Sequence, residues 1–231
     1  MVNFFGGLKA QAVIFDFDGV IVDTEPLHYL AFQRVLEPCG LGFSWGKYIE
    51  TYMGFDDRDA FVEAFTSRGK QISPDDLSRL ILAKAELFQD VIQDGVVPYP
   101  GVVELISKLH QAQVPLAICS GALLSDIIPI ITMLGIDVHF DIIVTADDVA
   151  KSKPHPECYR LAFERLSNHC ASSAISPLHT IAIEDTPAGI TAALGAGLQV
   201  IAVTNSYARE RICQATQIVD SLEELQFQIT T

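Results

Sequence analysis

Paired cysteines, long apolar runs and positive charge are all scarce in this chain of 231 residues, and each scarcity closes off a class of function. Five cysteines (Cys39, Cys119, Cys158, Cys170 and Cys213) are scattered, with no CxxC pair. The odd count and wide spacing argue against a disulfide framework or a zinc site, so reduced thiols in a cytoplasmic setting are expected. No apolar run reaches the roughly 20 residues that a spanning helix needs. The start, Met1 to Gln11, holds one lysine and no apolar stretch, so neither a signal peptide nor a membrane anchor is expected. Lys and Arg number 15 against 29 Asp and Glu, a net charge of −14. That balance argues against nucleic acid, which is bound by cations against phosphate, and against anionic membrane surfaces. An acidic chain that handles phosphorylated molecules must import local positive charge, most simply as a bound metal ion.

What is present is a globular profile, 49% hydrophobic and 19% charged, long enough for one large domain or a core with a smaller companion. Two textures alternate. From about Pro26 to Gln93 no strand is convincing, and helices are expected at Pro26 to Leu36, Trp45 to Tyr52, Ala60 to Phe65 and Asp75 to Ile92. Ser73-Pro74-Asp75-Asp76 is a good helix start, with a capping residue, a first-turn proline and acids near the positive end. From Pro98 onward short apolar runs (Leu116 to Cys119, Ile142 to Val144, Thr180 to Ile183, Val200 to Val203) alternate with helix-length segments. Such alternation argues a parallel sheet covered on both faces, to which the early strand Val13 to Phe17 also belongs. The expected fold is therefore α/β. Residues 1–23 and 98–231 form a Rossmann-like core, and residues 24–97 an inserted all-helical cap on two short links that make a plausible hinge.

The chemistry concentrates where strands end. Asp16-Phe17-Asp18-Gly19 follows the first strand, Ser120-Gly121 the second, Lys153-Pro154 lies beyond the third, and Glu184-Asp185 follows the fourth. Parallel strands bring their carboxyl ends to one crevice, where α/β sheets bind ligands. That constellation suits phosphoryl transfer. Asp16 would be the nucleophile, through an aspartyl-phosphate. Magnesium held by Asp16, Glu184 and Asp185 would cancel charge between two anions. Ser120, the amides at Gly121 and Ala122, and Lys153 would hold phosphate oxygens, and Asp18 would serve as acid and base. Blander readings stand beside these: Ser120 as a helix cap, Lys153 as a solvated side chain, Glu184-Asp185 as acids favoured at a helix start. Asp56-Asp57 and Asp147-Asp148 are read as solvated faces, since neither follows a strand directly.

The motifs Phe15-Asp16-Phe17-Asp18-Gly19-Val20, Ser120, Lys153-Pro154-His155-Pro156-Glu157-Cys158-Tyr159 and Ile183-Glu184-Asp185-Thr186-Pro187-Ala188-Gly189 occur in that order. With them the chain, from about Ala12 to Val203, resembles the haloacid dehalogenase-like hydrolase superfamily. The similarity is to the branch with a helical cap after the first strand, which includes β-phosphoglucomutase and phosphoglycolate phosphatase. The resemblance implies a Rossmann-like core and a four-helix cap, Asp16 as nucleophile and Asp18 as acid/base. It also implies Mg2+ bound by Asp16, the Asp18 backbone carbonyl and Asp185, with Glu184 nearby. An aspartate at Asp18 points away from halide displacement toward phosphate-ester hydrolysis or a mutase.

By the same resemblance His28 and Lys84 match cap positions of the mutases, where the lysine contacts substrate phosphate. The mutases also carry a cap arginine; counted from Gly54 that place holds Asp57, with Arg58 one residue late. One residue on a helix turns a side chain by about 100°. The expected activity is therefore a magnesium-dependent phosphatase acting on a small phosphorylated metabolite, a sugar phosphate or related organic phosphate. The alternatives are a hexose-phosphate mutase and a non-catalytic phosphate-binding protein. A monomer or weak dimer, with no nucleic-acid or membrane partner, completes the expectation.

Overall fold

The structure is a computed structural model that describes residues 1–4, 6–53, 55–93, 95–170 and 174–229. Gly54, from which the cap arginine position is counted, lies outside the described residues. The chain divides into two compact units, Met1–Asp23 with Val97–Thr231, and Thr24–Val96. The chain opens with β1 (Val2–Phe4), β2 (Lys9–Ala10) and β3 (Ala12–Phe15) and continues through α1 (Glu25–Leu36), α2 (Trp45–Lys47), α3 (Asp57–Thr66) and α4 (Pro74–Ile92). Then come α5 (Val102–Gln111), β4 (Leu116–Cys119), α6 (Leu124–Met133), β5 (Ile142–Val144) and α7 (Glu157–His169). The last elements are β6 (Thr180–Glu184), α8 (Pro187–Gly195), β7 (Gln199–Val203), β8 (Gln217–Val219) and β9 (Phe227–Ile229).

The first unit is built on six parallel strands in the order β5-β4-β3-β6-β7-β8. This is the α/β class expected from the alternation of apolar runs and helix-length segments. β3 lies centrally, with Val13 opposite Leu116 on one side and Ile181 on the other. Side chains alternate across a strand, and both faces here are buried. One face, with Ala12, Ile14, Ala117, Ala182 and Ala202, packs on α7 and α8 through Tyr159, Ala162, Leu166 and Ile190. Its alanines leave room for two helices close to the sheet. The other face, with Val13, Phe15, Ile118, Ile183 and Ile201, is equally inaccessible to water. Strands buried on both sides must be apolar throughout, which is why they read as continuous runs rather than alternating ones.

Sequence periodicity gave no sign of a small antiparallel sheet, β2-β1-β9, which pairs Val2 with Ile229 from opposite ends of the chain. The expectation of free thiols is corrected at one place. Cys119, last in β4, and Cys158, in the first turn of α7, form a disulfide with Cα atoms 6.2 Å apart. They stand 39 residues apart in sequence, and the packing of α7 against β4 brings them together.

The second unit is helical and its core is aromatic: Phe32, Tyr48, Tyr52 and Phe61 pack with Leu36 and Leu41. Ser73 caps α4 as expected, its hydroxyl accepting from the Asp76 amide at 3.1 Å behind Pro74. The segment Trp45 to Tyr52 is less regular than expected. The α2 turn gives way to a π-turn over Tyr48–Tyr52, whose wider step lets both tyrosines enter the aromatic core.

The acid pairs read as solvated faces have structural work instead. Asp56 is buried and caps α3 through the Asp59 amide (2.8 Å). Asp147 accepts from the Leu124 amide at the start of α6 (3.0 Å), and Asp148 from the Thr145 amide (3.0 Å) and Arg165 (2.7 Å). Each satisfies a backbone donor that a helix start leaves open.

Candidate active site

Asp16 extends the β3–β6 ladder one residue beyond the strand, its amide donating to the Ile183 carbonyl at 2.9 Å. The chain must then turn sharply, and Gly19 does so at φ +80°, a conformation that side chains disfavour. A Cβ there would also collide with the Asp185 carboxylate, so glycine is required twice over. Asn205, in the loop after β7, holds the Gly19 carbonyl with its side-chain amide at 2.7 Å.

Side chains from several strand ends meet beside this turn. Lys153, next to a cis Lys153–Pro154 bond, places its Nζ 2.8 Å from Asp16 Oδ1 and 2.7 Å from Glu184 Oε1. Glu184 Oε1 also accepts the Tyr159 hydroxyl at 2.9 Å. Its other oxygen accepts the amides of Asp185 (3.0 Å) and Thr186 (3.1 Å) and the Thr186 hydroxyl (3.1 Å). Gly189 in the first turn of α8 makes space for that carboxylate, since any Cβ would overlap it. Ser120 is buried beyond the end of β4. Its Oγ accepts from the Ala122 amide (2.9 Å) and lies 3.5 Å from Asp18 Oδ2.

Electrostatics follow from this crowding. Burial, and then the neighbouring charge of Glu184, push the Asp16 carboxyl well above the usual carboxylate range, although Lys153 pulls the other way. For Glu184 burial acts upward too, but Lys153 and the Thr186 amide outweigh it and hold the group below its ordinary value. Burial disfavours the Lys153 ammonium, yet Asp16 and Glu184 more than compensate, so it stays charged above its ordinary range. Asp16, Glu184 and Asp185 are all buried and offer oxygens within 4.8 Å of one another. With Asp16 ionised, three carboxylates against one ammonium carry surplus negative charge of the size a divalent cation cancels. Hard oxygen donors on a rigid turn are what magnesium takes, so the residues fit that ion.

The strand ends thus bring together Asp16, Asp18, Ser120, Lys153, Glu184 and Asp185. Glu184 already accepts five donors, which makes it the anchor of Lys153. Ser120 is not the cap of α6, a place held by Leu123, so the cap reading fails. Gly121 is exposed, and the Ala122 amide, expected to face phosphate, is turned to Ser120 Oγ.

In the helical unit Lys84 is fully buried, its Nζ 2.8 Å from His28 Nδ1 and 2.8 Å from Asp57 Oδ1. Phe32 and Phe88 flank the ammonium, 5.2 and 5.0 Å from it. Arg58 is exposed and is not part of this cluster; Asp57 is. Tyr159, Asn205, Gly189 and Asp57 escaped sequence reasoning as site residues. Tyr159 and Gly189 had a signal, standing within the Lys153 and Glu184 motifs, and Asp57 stood at the cap position counted from Gly54.

Comparison with known proteins agrees with this geometry. The family model of the haloacid dehalogenase-like hydrolases matches residues 13–203. A phosphorylated carbohydrates phosphatase from Thermotoga maritima is 28% identical over 192 residues, 83% of each chain. The crystal structure of CbbY from Rhodobacter sphaeroides in complex with phosphate superposes with a TM-score of 0.82 at 27% identity, covering 92% of this chain and 95% of that one. A β-phosphoglucomutase from Clostridium difficile also gives 0.82, at 26% identity, covering 94% and 93%. With the acids at its strand ends, its sheet order and most of its length accounted for, the chain belongs to the haloacid dehalogenase-like hydrolase family.

Proposed function

We propose that the protein is a magnesium-dependent phosphatase that hydrolyses a small phosphorylated metabolite, a sugar phosphate or related organic phosphate, through an aspartyl-phosphate on Asp16. The observation that carries the reading is the Lys153 bridge between Asp16 and Glu184, beside a cluster of buried carboxylates. Asp16 attacks phosphorus, and the Lys153 ammonium, its third N–H directed to the substrate, steadies the phosphate oxygens. Asp18 gives a proton to the leaving oxygen and later takes one from the water that cleaves the acyl phosphate. Ser120, 3.5 Å from Asp18 Oδ2, turns its one hydroxyl proton from that carboxyl to a phosphate oxygen when substrate binds. Asp16, the Asp18 carbonyl and Asp185 would hold a magnesium ion, which when bound would supply the charge cancellation between the two anions. The phosphatase from Thermotoga maritima supports phosphorylated carbohydrates as the substrate class.

Likeness to β-phosphoglucomutase keeps a mutase as the second reading. The Lys84–Asp57 pair favours hydrolysis, because the buried cation of the helical unit is already neutralised by a carboxylate rather than supported by an arginine. Incubation with a panel of phosphorylated metabolites, β-glucose 1-phosphate among them, with products identified, separates the two. Inorganic phosphate is expected. Isomerised sugar phosphate dependent on a bisphosphate activator would establish the mutase, and no turnover on any ester would leave a binding protein.

A further inference from the structure

The hydroxyl of Tyr159 has no packing purpose. Its ring lies in the core between α7 and the sheet, where phenylalanine would fill the same volume. A buried phenol costs stability unless it is bonded, so an oxygen retained there needs a partner that repays it. The partner is Glu184 Oε1, at 2.9 Å, the same oxygen that accepts Lys153 at 2.7 Å. The face of the ring also lies under the ammonium, 5.1 Å from Nζ to the centroid. Two donors therefore share one carboxylate oxygen, and the ring attracts the cation from a further side.

Resting on the phosphatase reading above, we propose that Tyr159 is a positioning residue that sets where Lys153 presents its free N–H to substrate phosphate. By occupying part of Glu184 Oε1, the hydroxyl limits the pull of Glu184 on the ammonium. Lys153 then stays shared almost evenly between Asp16 and Glu184. Without the hydroxyl the Lys153–Glu184 bond tightens, the ammonium is drawn toward Glu184, and its third N–H no longer points where the phosphate arrives.

Tyr159→Phe tests this, because it keeps the ring and removes only the donor. The expected result is a fall of about tenfold in kcat/KM and a similar weakening of inorganic phosphate binding by calorimetry, the effect of one hydrogen bond to a charged group. Melting should remain cooperative. Incorporation of 4-aminophenylalanine, which restores a donor at the same place, should recover most of both losses. Phosphate affinity and kcat/KM within twofold of wild type in Tyr159→Phe would overturn the assignment. So would loss of the folded state, which would make Tyr159 a structural residue, or failure of the amino variant to recover. If the wild type hydrolyses no ester, the phosphatase reading falls, while phosphate calorimetry still decides the role of Tyr159.

Discussion

Asp16 is buried beside Glu184 and Asp185, with Lys153 as the ammonium that offsets them. Such a group is costly to keep in a fold for stability alone, since a buried charge is repaid only by good partners. Its conservative replacement separates chemistry from folding: Asp16→Asn should lower phosphate release at least a thousandfold, on the order of what removing a nucleophile costs, while melting stays cooperative. Activity near wild type would remove the nucleophile assignment. Asp18→Asn should slow both leaving-group protonation and breakdown of the acyl phosphate, by about a hundredfold or more, as expected for general acid–base catalysis. A burst of released alcohol followed by slow phosphate release would identify the second step.

Asp148 gives a pH prediction away from the site. Burial acts to raise its carboxyl, but Arg165 and the Thr145 amide outweigh it, so its folded value lies below the ordinary one. A depressed carboxyl adds stability above its unfolded pKa of about 3.9. That contribution is lost as pH falls through the folded value. Arg165→Ala should therefore lower the melting temperature slightly at neutral pH, and the difference from wild type should shrink below about pH 4. A difference that grows on acidification would mean that the pair is not the source. Both side chains are partly exposed, so the effect is under about 1 kcal/mol.

At the scale of elements, strand ends and helix starts make the site. Gly189 shows how closely they are fitted: it lies in the first turn of α8, and the Glu184 carboxylate occupies the space where its side chain would be. Gly189→Ala should gain helix propensity of about 1 kcal/mol in an unconstrained helix, yet lower activity more than tenfold by displacing Glu184 and with it Lys153. Circular dichroism and phosphate release together check this, and an active, stabilised variant would contradict the fit.

Elements also explain what was legible in the sequence. β4 and β5 have the boundaries expected, because unbroken apolar runs are bounded by polar turns. The acids of the site were legible because each follows such a run directly. Asp57 and the Cys119–Cys158 pair were not, because their partners lie on other elements and no local pattern announces them. β8, Gln217–Val219, begins on a glutamine and offers only two apolar residues in a row, too little pattern to be seen, and β1 and β9 find each other only across nearly the whole chain.

At the scale of the whole molecule, net charge of −14 and a carboxylate cluster at the catalytic strand ends mean that an anionic substrate is repelled unless cations intervene. Removal of metal with EDTA should abolish phosphate release, and added magnesium should restore it. Magnesium should also raise the melting temperature of wild type, because binding to the folded state alone stabilises it, but should do so much less for Asp185→Asn. Equal stabilisation of the two proteins would place the ion elsewhere. Among the described residues no helix is long and apolar enough to cross a membrane.

The helical unit enters and leaves the chain at one locality. Val22 and Pro98 form an antiparallel bridge, and the Asp23 amide reaches the Val97 carbonyl at 3.5 Å. A recombination event, natural or engineered, therefore needs only two neighbouring junctions to trade residues 24–96 for another insert. Neither junction breaks the pairing of β3 with β4 and β6. The α/β unit can in this way keep its sheet while the insert it carries is exchanged.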